Sequence, residues 1–301
     1  MSRENPRTVI LLGASGFIGS RIKAALEQSG HVVLCAGRSR TRSTIQIDLR
    51  DEGQIRDTLA NIDFDVLVNC AGVATGPNLF AVNAEALVPL CAIAEAKHAH
   101  LVHLSSVGSF GPSSADVVTE CSPRNPENDY ERSKYAGELV VEASNVVSTT
   151  LQPTIVYGPR NVPGPLRYVL PMNRFPRPSP RPDVHTNLLY VEDLATAVVA
   201  CIEQPAQGRF IVSDPLTFGD LASMLGASAP AMNEYAVSAI GAVCRSRWSG
   251  SLPALAQNAL MTFSRRTSYE STKLQAAVGW RAAYGHRKGI ESVLASRMEG
   301  K

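Results

Sequence analysis

The sequence predicts an α/β protein, a doubly wound parallel sheet followed by a smaller, irregular C-terminal lobe. Three observations lead there. Short β-branched and apolar runs alternate with segments of helical spacing through the first half of the chain, as right-handed βαβ units require. The first run, Thr8 to Leu12, is apolar without alternation, as expected of a strand buried on both faces. Beyond residue 157 the texture changes, with prolines at 159, 163, 165, 171, 176, 178, 180 and 182. That density excludes long helices and central strands.

Each element follows in order. After the first strand, Gly13, Gly16 and Gly19 punctuate a turn. Ile22, Ala25 and Leu26 then space a helix over 20–28 that stops at Gly30. Residues 31–36 read as a second strand, 45–47 as a short third, and 51–61 as a helix. A fourth strand over 65–70, a helix over 83–98 and a fifth strand over 101–104 come next. A helix over 129–143 and a strand over 148–151 complete the first half. Residues 188–191 and 210–212 read as strands returning to the main sheet, with a helix over 191–203 between them, and the remainder reads as mostly helical. The division expected is 1–157 for the sheet domain and 158–301 for the lobe, with 188–213 rejoining the sheet.

Composition narrows the function. The 301 residues are 45% hydrophobic and 19% charged, enough apolar material for a large core. A net charge of +2 argues against a nucleic-acid surface, which needs a concentrated basic field. The six cysteines, Cys35, Cys70, Cys91, Cys121, Cys201 and Cys244, include no C-x-x-C pair and read as reduced thiols. No His/Cys/Asp/Glu group has metal-ligand spacing, so no metal is expected. Met1 to Pro6 carries no basic-then-apolar leader, and no apolar run approaches the roughly 18 residues that span a bilayer. A soluble cytoplasmic protein without membrane contact is the expectation.

The glycine turn is the first functional signal. Gly13-Ala14-Ser15-Gly16-Phe17-Ile18-Gly19 sits directly between a buried strand and a helix. There, missing side chains let backbone N–H groups approach a pyrophosphate at the helix N-terminus. In that context the motif predicts a Rossmann-type dinucleotide site. The second strand ends Cys35-Ala36-Gly37-Arg38. An arginine, not a carboxylate, at this point suits a 2′-phosphate. NADP(H) is therefore expected, with NAD(H) the alternative; Arg40 and Arg42 follow closely. Asp48 and Leu49 are placed to contact the adenine, and Cys70, Ala71 and Gly72 end the fourth strand beside the cofactor.

The second signal is Tyr130-Glu131-Arg132-Ser133-Lys134. Residues four apart share one helix face. Free tyrosine titrates near pH 10, and an adjacent ammonium is expected to lower that value and fit the phenol for proton transfer. The lysine can also reach the nicotinamide ribose, while Ser106 would hydrogen-bond a substrate oxygen. Tyr-x-x-x-Lys alone also occurs on merely solvated helix faces.

Several segments together match one family. They are the glycine turn, Asn69-Cys70-Ala71-Gly72, Leu104-Ser105-Ser106-Val107 running to Phe110-Gly111, and Tyr130 with Lys134. Pro153-Thr154-Ile155-Val156-Tyr157-Gly158-Pro159, Leu189-Tyr190-Val191-Glu192-Asp193-Leu194, Ser271-Thr272-Lys273 and Gly279-Trp280 join them. Over nearly its whole length the chain resembles the extended short-chain dehydrogenase/reductases, the NAD-dependent epimerase/dehydratase group. The resemblance implies hydride transfer on a nucleotide-linked sugar by a ketoreductase or 4-epimerase, with Ser106, Tyr130 and Lys134 as catalytic residues. It also implies Asn83 beside the nicotinamide, cofactor contacts from Pro153 and Ile155, and a homodimer built on the helices that carry Asn83 and Tyr130.

The pattern departs at the substrate end. Ile155 stands where the family often has asparagine, Gln152 where it often has arginine, and His185-Thr186-Asn187 where an arginine often meets the diphosphate. Val107, Ile155, Arg167, His185 and Arg265 are the substrate-binding candidates, with Arg181 a further cation. Val107-Gly108 replaces the acidic pair of the group's dehydratases, which speaks against dehydration. Reduction of a non-sugar ketone or aldehyde is the alternative, and a regulatory NADP-binding protein without turnover a third reading. His103 reads as a packed strand residue, and no nucleophile-elbow serine marks a hydrolase.

Overall fold

A strand apolar on both faces belongs at the centre of a sheet, and Thr8–Leu12 is there. The computed structural model describes residues 6–39, 42–113, 115–170, 182–226 and 267–299. In chain order the first half contains β1 (Thr8–Leu12), α1 (Phe17–Gln28), β2 (Val32–Gly37), β3 (Ile45–Gln46), α2 (Glu52–Ala60) and β4 (Val66–Asn69). A π-helical turn (Ala81–Glu85), α3 (Leu87–Ala96), β5 (His100–Leu104) and a 3-10 turn (Val107–Phe110) follow. Next come β6 (Val117–Val118), α4 (Asp129–Glu142), β7 (Ser148–Pro153), β8 (Ile155–Tyr157) and α5 (Gly164–Val169). The rest comprises β9 (Leu188–Tyr190), α6 (Val191–Glu203), β10 (Gly208–Val212), α7 (Phe218–Met224), β11 (Ser268–Tyr269), α8 (Thr272–Val278) and α9 (Gly285–Glu299).

Seven strands form an all-parallel sheet in the order β10-β7-β5-β4-β1-β2-β3. Strand alternation sorts the core into two layers. Val9 and Leu11 pack towards α1 and α6, while Ile10 and Leu12 pack towards α2 and α3. All four are essentially without exposed surface, and each contributes about 1.5–3 kcal/mol of burial. Helix starts are capped from the sequence. Asp51 accepts from the Gln54 amide at 2.9 Å and Asn128 from the Glu131 amide at 2.9 Å. Asp129 and Glu131 in the first turn of α4 add charge of the sign its dipole favours.

The strand order reverses direction about β1, between β2 and β4, and opens a crevice at the C-terminal strand ends. Of the two segments expected back in this sheet, only Gly208–Val212 joins it, beside β7. Leu188–Tyr190 pairs instead with Ile155–Tyr157 in a separate two-stranded sheet. The reason lies at the edge of β7. There β10 makes its last bond, from the Thr154 amide to the Val212 carbonyl, and the chain then veers away, bonding the Ile155 amide to the Asn187 carbonyl at 2.8 Å. The helix expected over 83–98 begins as a π turn around Asn83 before α3. Around β8 and β9, Tyr157, Leu166, Leu188, Tyr190, Phe218 and Ile290 form a further apolar cluster.

Candidate active site

The glycine turn has little freedom to be anything else. Gly13 adopts φ +82, and a Cβ there would lie 2.7 Å from the Ala71 amide nitrogen. A Cβ on Gly19 would lie 2.2 Å from the Gly13 carbonyl oxygen. The turn therefore closes onto both β4 and the first turn of α1 only without side chains. Gly13, Ser15 and Gly16 line one wall of a cleft of about 370 Å³; Cys70, Ala71 and Gly72 line another, with Arg38, Asp48 and Leu49 at its outer end. Backbone amides, a helix N-terminus and the strand-order reversal meet there, which fits the size and charge of a dinucleotide.

At the outer end, Asp48 and Arg50 form a two-point ion pair, with Nε 3.0 and 3.1 Å from the carboxylate oxygens. That hydrogen bonding holds Asp48 at about 2, below the ordinary carboxylate value, and Arg38 adds to the effect. Arg38 and Arg50 also border an adjoining open hollow with Gln46 and Gln54.

At the inner end, α4 brings in the proposed chemistry. Lys134 is buried, donates to the Leu104 carbonyl at 3.1 Å, and would lie 3.1 Å from a Cβ placed on Gly72. Gly72 thus admits the ammonium to the cleft. Burial pulls Lys134 down to about 8, while Glu138 and Cys70 push it up. Ser106 caps the 3-10 turn, accepting from the Gly108 amide at 3.0 Å, and a Cβ on Gly108 would lie 3.3 Å from Ser106 Oγ and 3.5 Å from the Tyr130 ring.

Tyr130 departs from the sequence expectation. Burial raises it above the ordinary tyrosine value and Glu131 adds to that rise, with the Ser106 hydrogen bond the lowering influence. The expected acidification by the ammonium is not present in this structure, where Lys134 donates to Leu104.

Residues 9–212 match the NAD dependent epimerase/dehydratase family. The chain belongs to that family. Among curated relatives, the probable low-salt glycan biosynthesis reductase Agl14 of Haloferax volcanii is 28% identical over 159 residues, 49% of this chain and 53% of that protein. Methionine adenosyltransferase 2 subunit beta of Bos taurus is 28% identical over 160 residues, 50% of this chain and 48% of its own. The chain therefore spans about half the length of the curated relatives it matches. Among solved structures, the Bordetella bronchiseptica enzyme WbmG in complex with NAD superimposes with a TM-score of 0.74 at 18% identity, over 99% of this chain and 96% of that one. The Helicobacter pylori ADP-L-glycero-D-manno-heptose-6-epimerase gives 0.73 at 19% identity, over 98% of each chain. These two share the fold.

Within this family member, nine sequence-predicted cofactor residues gather at the cleft: Gly13, Ser15, Gly16, Arg38, Asp48, Leu49, Cys70, Ala71 and Gly72. Lys134 adjoins them through Gly72. Others lie outside its lining. Phe17 and Ile18 pack against the cluster around Tyr157, and Gly19 serves the turn. Pro153 is buried on β7, whereas Ile155, 39% exposed, opens on β8. Asn83 is buried, accepting from the Val73 amide at 3.0 Å and donating to the Val73 carbonyl at 2.8 Å and to Ser133 Oγ at 2.9 Å. It ties the loop after β4 to α4 instead of lining the cleft.

Among the substrate candidates, Val107 packs near Phe110 and Tyr269, and Arg167 is exposed on α5. His185 bridges to Thr217 with Nδ1 unpartnered. Arg181, Arg265, Arg40 and Cys244 lie outside the described residues. His103 is packed, and burial beside Lys134 lowers it to about 3. Sequence reasoning missed Arg50, Asn78 and Val82 on the cleft wall. Arg50 follows Asp48-Leu49 directly, so the motif pointed at it. Asn78 sits in a loop with no pattern to mark it. Among the described residues no helix is long and apolar enough to cross a membrane, and no three metal-binding side chains cluster.

Proposed function

We propose that the protein is an NAD(P)-dependent ketoreductase or 4-epimerase acting on a nucleotide-linked sugar. The observation that carries this is Lys134, whose ammonium adjoins the glycine-lined cleft at Gly72, with Tyr130 one helical turn before it on α4 and packed with Ser106 against Gly108. A bound nicotinamide dinucleotide would supply or accept the hydride. Gly13, Ser15 and Gly16 would hold its pyrophosphate, and Lys134 its nicotinamide ribose. Ser106 would orient the substrate oxygen and Tyr130 would move the proton to or from it.

Arg38 and Arg50 around the outer hollow favour NADP(H). NAD(H) is the competing assignment, supported by the NAD bound to WbmG. The sugar assignment draws support from the glycan-biosynthesis reductase relative and from MoeE5 in complex with UDP-glucuronic acid and NAD. A homodimer and a cytoplasmic location remain part of the reading. Ile155, apolar and open at 39% exposure, favours a second reading in which the substrate is a non-sugar ketone.

The test is Tyr130→Phe, assayed with NADPH or NADH against nucleoside-diphosphate sugars and simple ketones. Cofactor binding should persist while turnover falls about 10²–10⁴-fold. Unchanged turnover in the variant would show that Tyr130 moves no proton.

A further inference from the structure

Glu138 has no exposed surface and lies one turn beyond Lys134 on α4. Three segments converge on its carboxylate. Ser105, the residue before Ser106, donates its hydroxyl to Oε1. Gln152 on β7 directs Nε2 to both oxygens at 3.0 Å and to Ser109 Oγ at 3.1 Å. Arg124, from the loop before α4, places Nη1 2.6 Å from Oε2, off the axis of an ideal hydrogen bond. The Arg124 side chain is only 9% exposed, and its guanidinium covers the rings of Phe110 and Tyr135 at 5.2 and 5.0 Å. A carboxylate this deep keeps its charge only beside a cation. Among the described residues, Arg124 and Lys134 are the cations that face it.

We propose that Glu138, paired with Arg124, is a positioning residue that anchors the Ser105–Ser106 segment and sets a carboxylate one helical turn from Lys134. This rests on the reading that Lys134 binds the nicotinamide cofactor as an ammonium. Lys134 also faces Cys70 at the end of β4, and His103 and the Leu104 carbonyl on β5. Of these, Cys70 and His103 are held neutral near pH 7 by burial, so Glu138 is the acidic side chain that remains. Gln152 adds hydrogen bonds without charge, which leaves neutralisation of the outer oxygen to Arg124.

The experiment follows NADH and NADPH binding by fluorescence across pH, alongside thermal unfolding. Wild-type affinity should fall as pH rises past the Lys134 value. In Glu138→Gln that fall should move to lower pH by about one unit or more, because the lysine loses its anion. Arg124→Gln should shift it the same way, since burial disfavours a carboxylate's charge once its cation is gone. Arg124→Gln/Gln152→Arg should return it to the wild-type position, because the Gln152 amide already lies 3.0 Å from both oxygens. Arg124→Gln/Glu138→Gln removes both members of the charge pair; it should match Glu138→Gln and serves if Arg124→Gln alone does not fold. Stability changes with an unmoved pH profile in Glu138→Gln would reduce the network to scaffolding and overturn the proposal. A folded Arg124→Gln/Gln152→Arg that stays acid-shifted would overturn the part assigned to Arg124. Wild-type protein that binds neither nucleotide overturns this inference and the functional reading together, whereas binding with an insensitive profile overturns this inference alone.

Discussion

Replacing Lys134 with methionine should stabilise the protein while abolishing its activity. The ammonium is buried, and its folded value of about 8 stands against an ordinary 10.5. The gap of 2.5, at 1.36 kcal/mol each, makes the charged form about 3 kcal/mol worse in the folded than in the unfolded chain. The sign runs as for any base whose folded value is depressed. Below about pH 8 the full cost is present; between 8 and 10.5, where the folded chain has released a proton that the unfolded chain still holds, it declines with rising pH, and above that it is gone. Methionine removes the charge at similar length but leaves the Leu104 carbonyl without its donor, at a cost of about 1 kcal/mol. The net expectation at pH 7 is a gain of about 2 kcal/mol, a few degrees in melting temperature for a chain of this size. Urea unfolding of both proteins from pH 7 to 10 measures it, and the difference should shrink as pH rises. A variant less stable than wild type at pH 7, or a difference that ignores pH, would refute the claim that this site is held against its own desolvation.

Three further outcomes follow from the same geometry. Gly72→Ala places a methyl 3.1 Å from Lys134 Nζ and 3.3 Å from Asn83 Oδ1, so the flexible lysine end must move; cofactor affinity should fall about tenfold with the melting temperature nearly unchanged, as titration and unfolding together would show. Arg38→Ala should weaken NADPH at least about tenfold and leave NADH alone, and an unchanged ratio of the two dissociation constants rejects the 2′-phosphate assignment. Asp193→Ala removes the carboxylate that accepts from the Tyr284 and Gly285 amides at 2.8 and 3.0 Å at the start of α9. It should cost about 1–3 kcal/mol in chemical unfolding, with cofactor affinity retained.

The sheet was legible because its requirements are local. An unbroken apolar run such as Thr8–Leu12 can satisfy both faces only between two helical layers, and the glycines after it announce a turn whatever the rest of the chain does. Leu188–Tyr190 was placed in the wrong sheet for the converse reason. Its three residues are as apolar as any main-sheet strand. What decides its partner is that β10 has already taken the edge of β7, a pairing between segments about 60 residues apart that periodicity does not register. The π turn at Asn83 is of the same kind, because its side chain is fixed by Val73 and Ser133 rather than by its neighbours in the helix.

The site divides along that line too. Tyr130 and Lys134 could be paired from their spacing, since one helix face carries both. Their titration could not be read that way, because spacing reports proximity and not burial. The phenol is raised by desolvation and the lysine is lowered by it, the reverse of a simple ammonium-and-phenolate picture. Whatever sets the lysine's charge must therefore come from its surroundings. The carboxylate there is Glu138, and the cation paired with it, Arg124, lies fourteen residues upstream in a loop with no motif of its own. On the proposed reading, a lysine readable from four residues of helix thus depends on a charge pair that only the folded chain assembles. Substitutions at Arg124 should accordingly alter the chemistry of the site without touching any residue that meets the substrate.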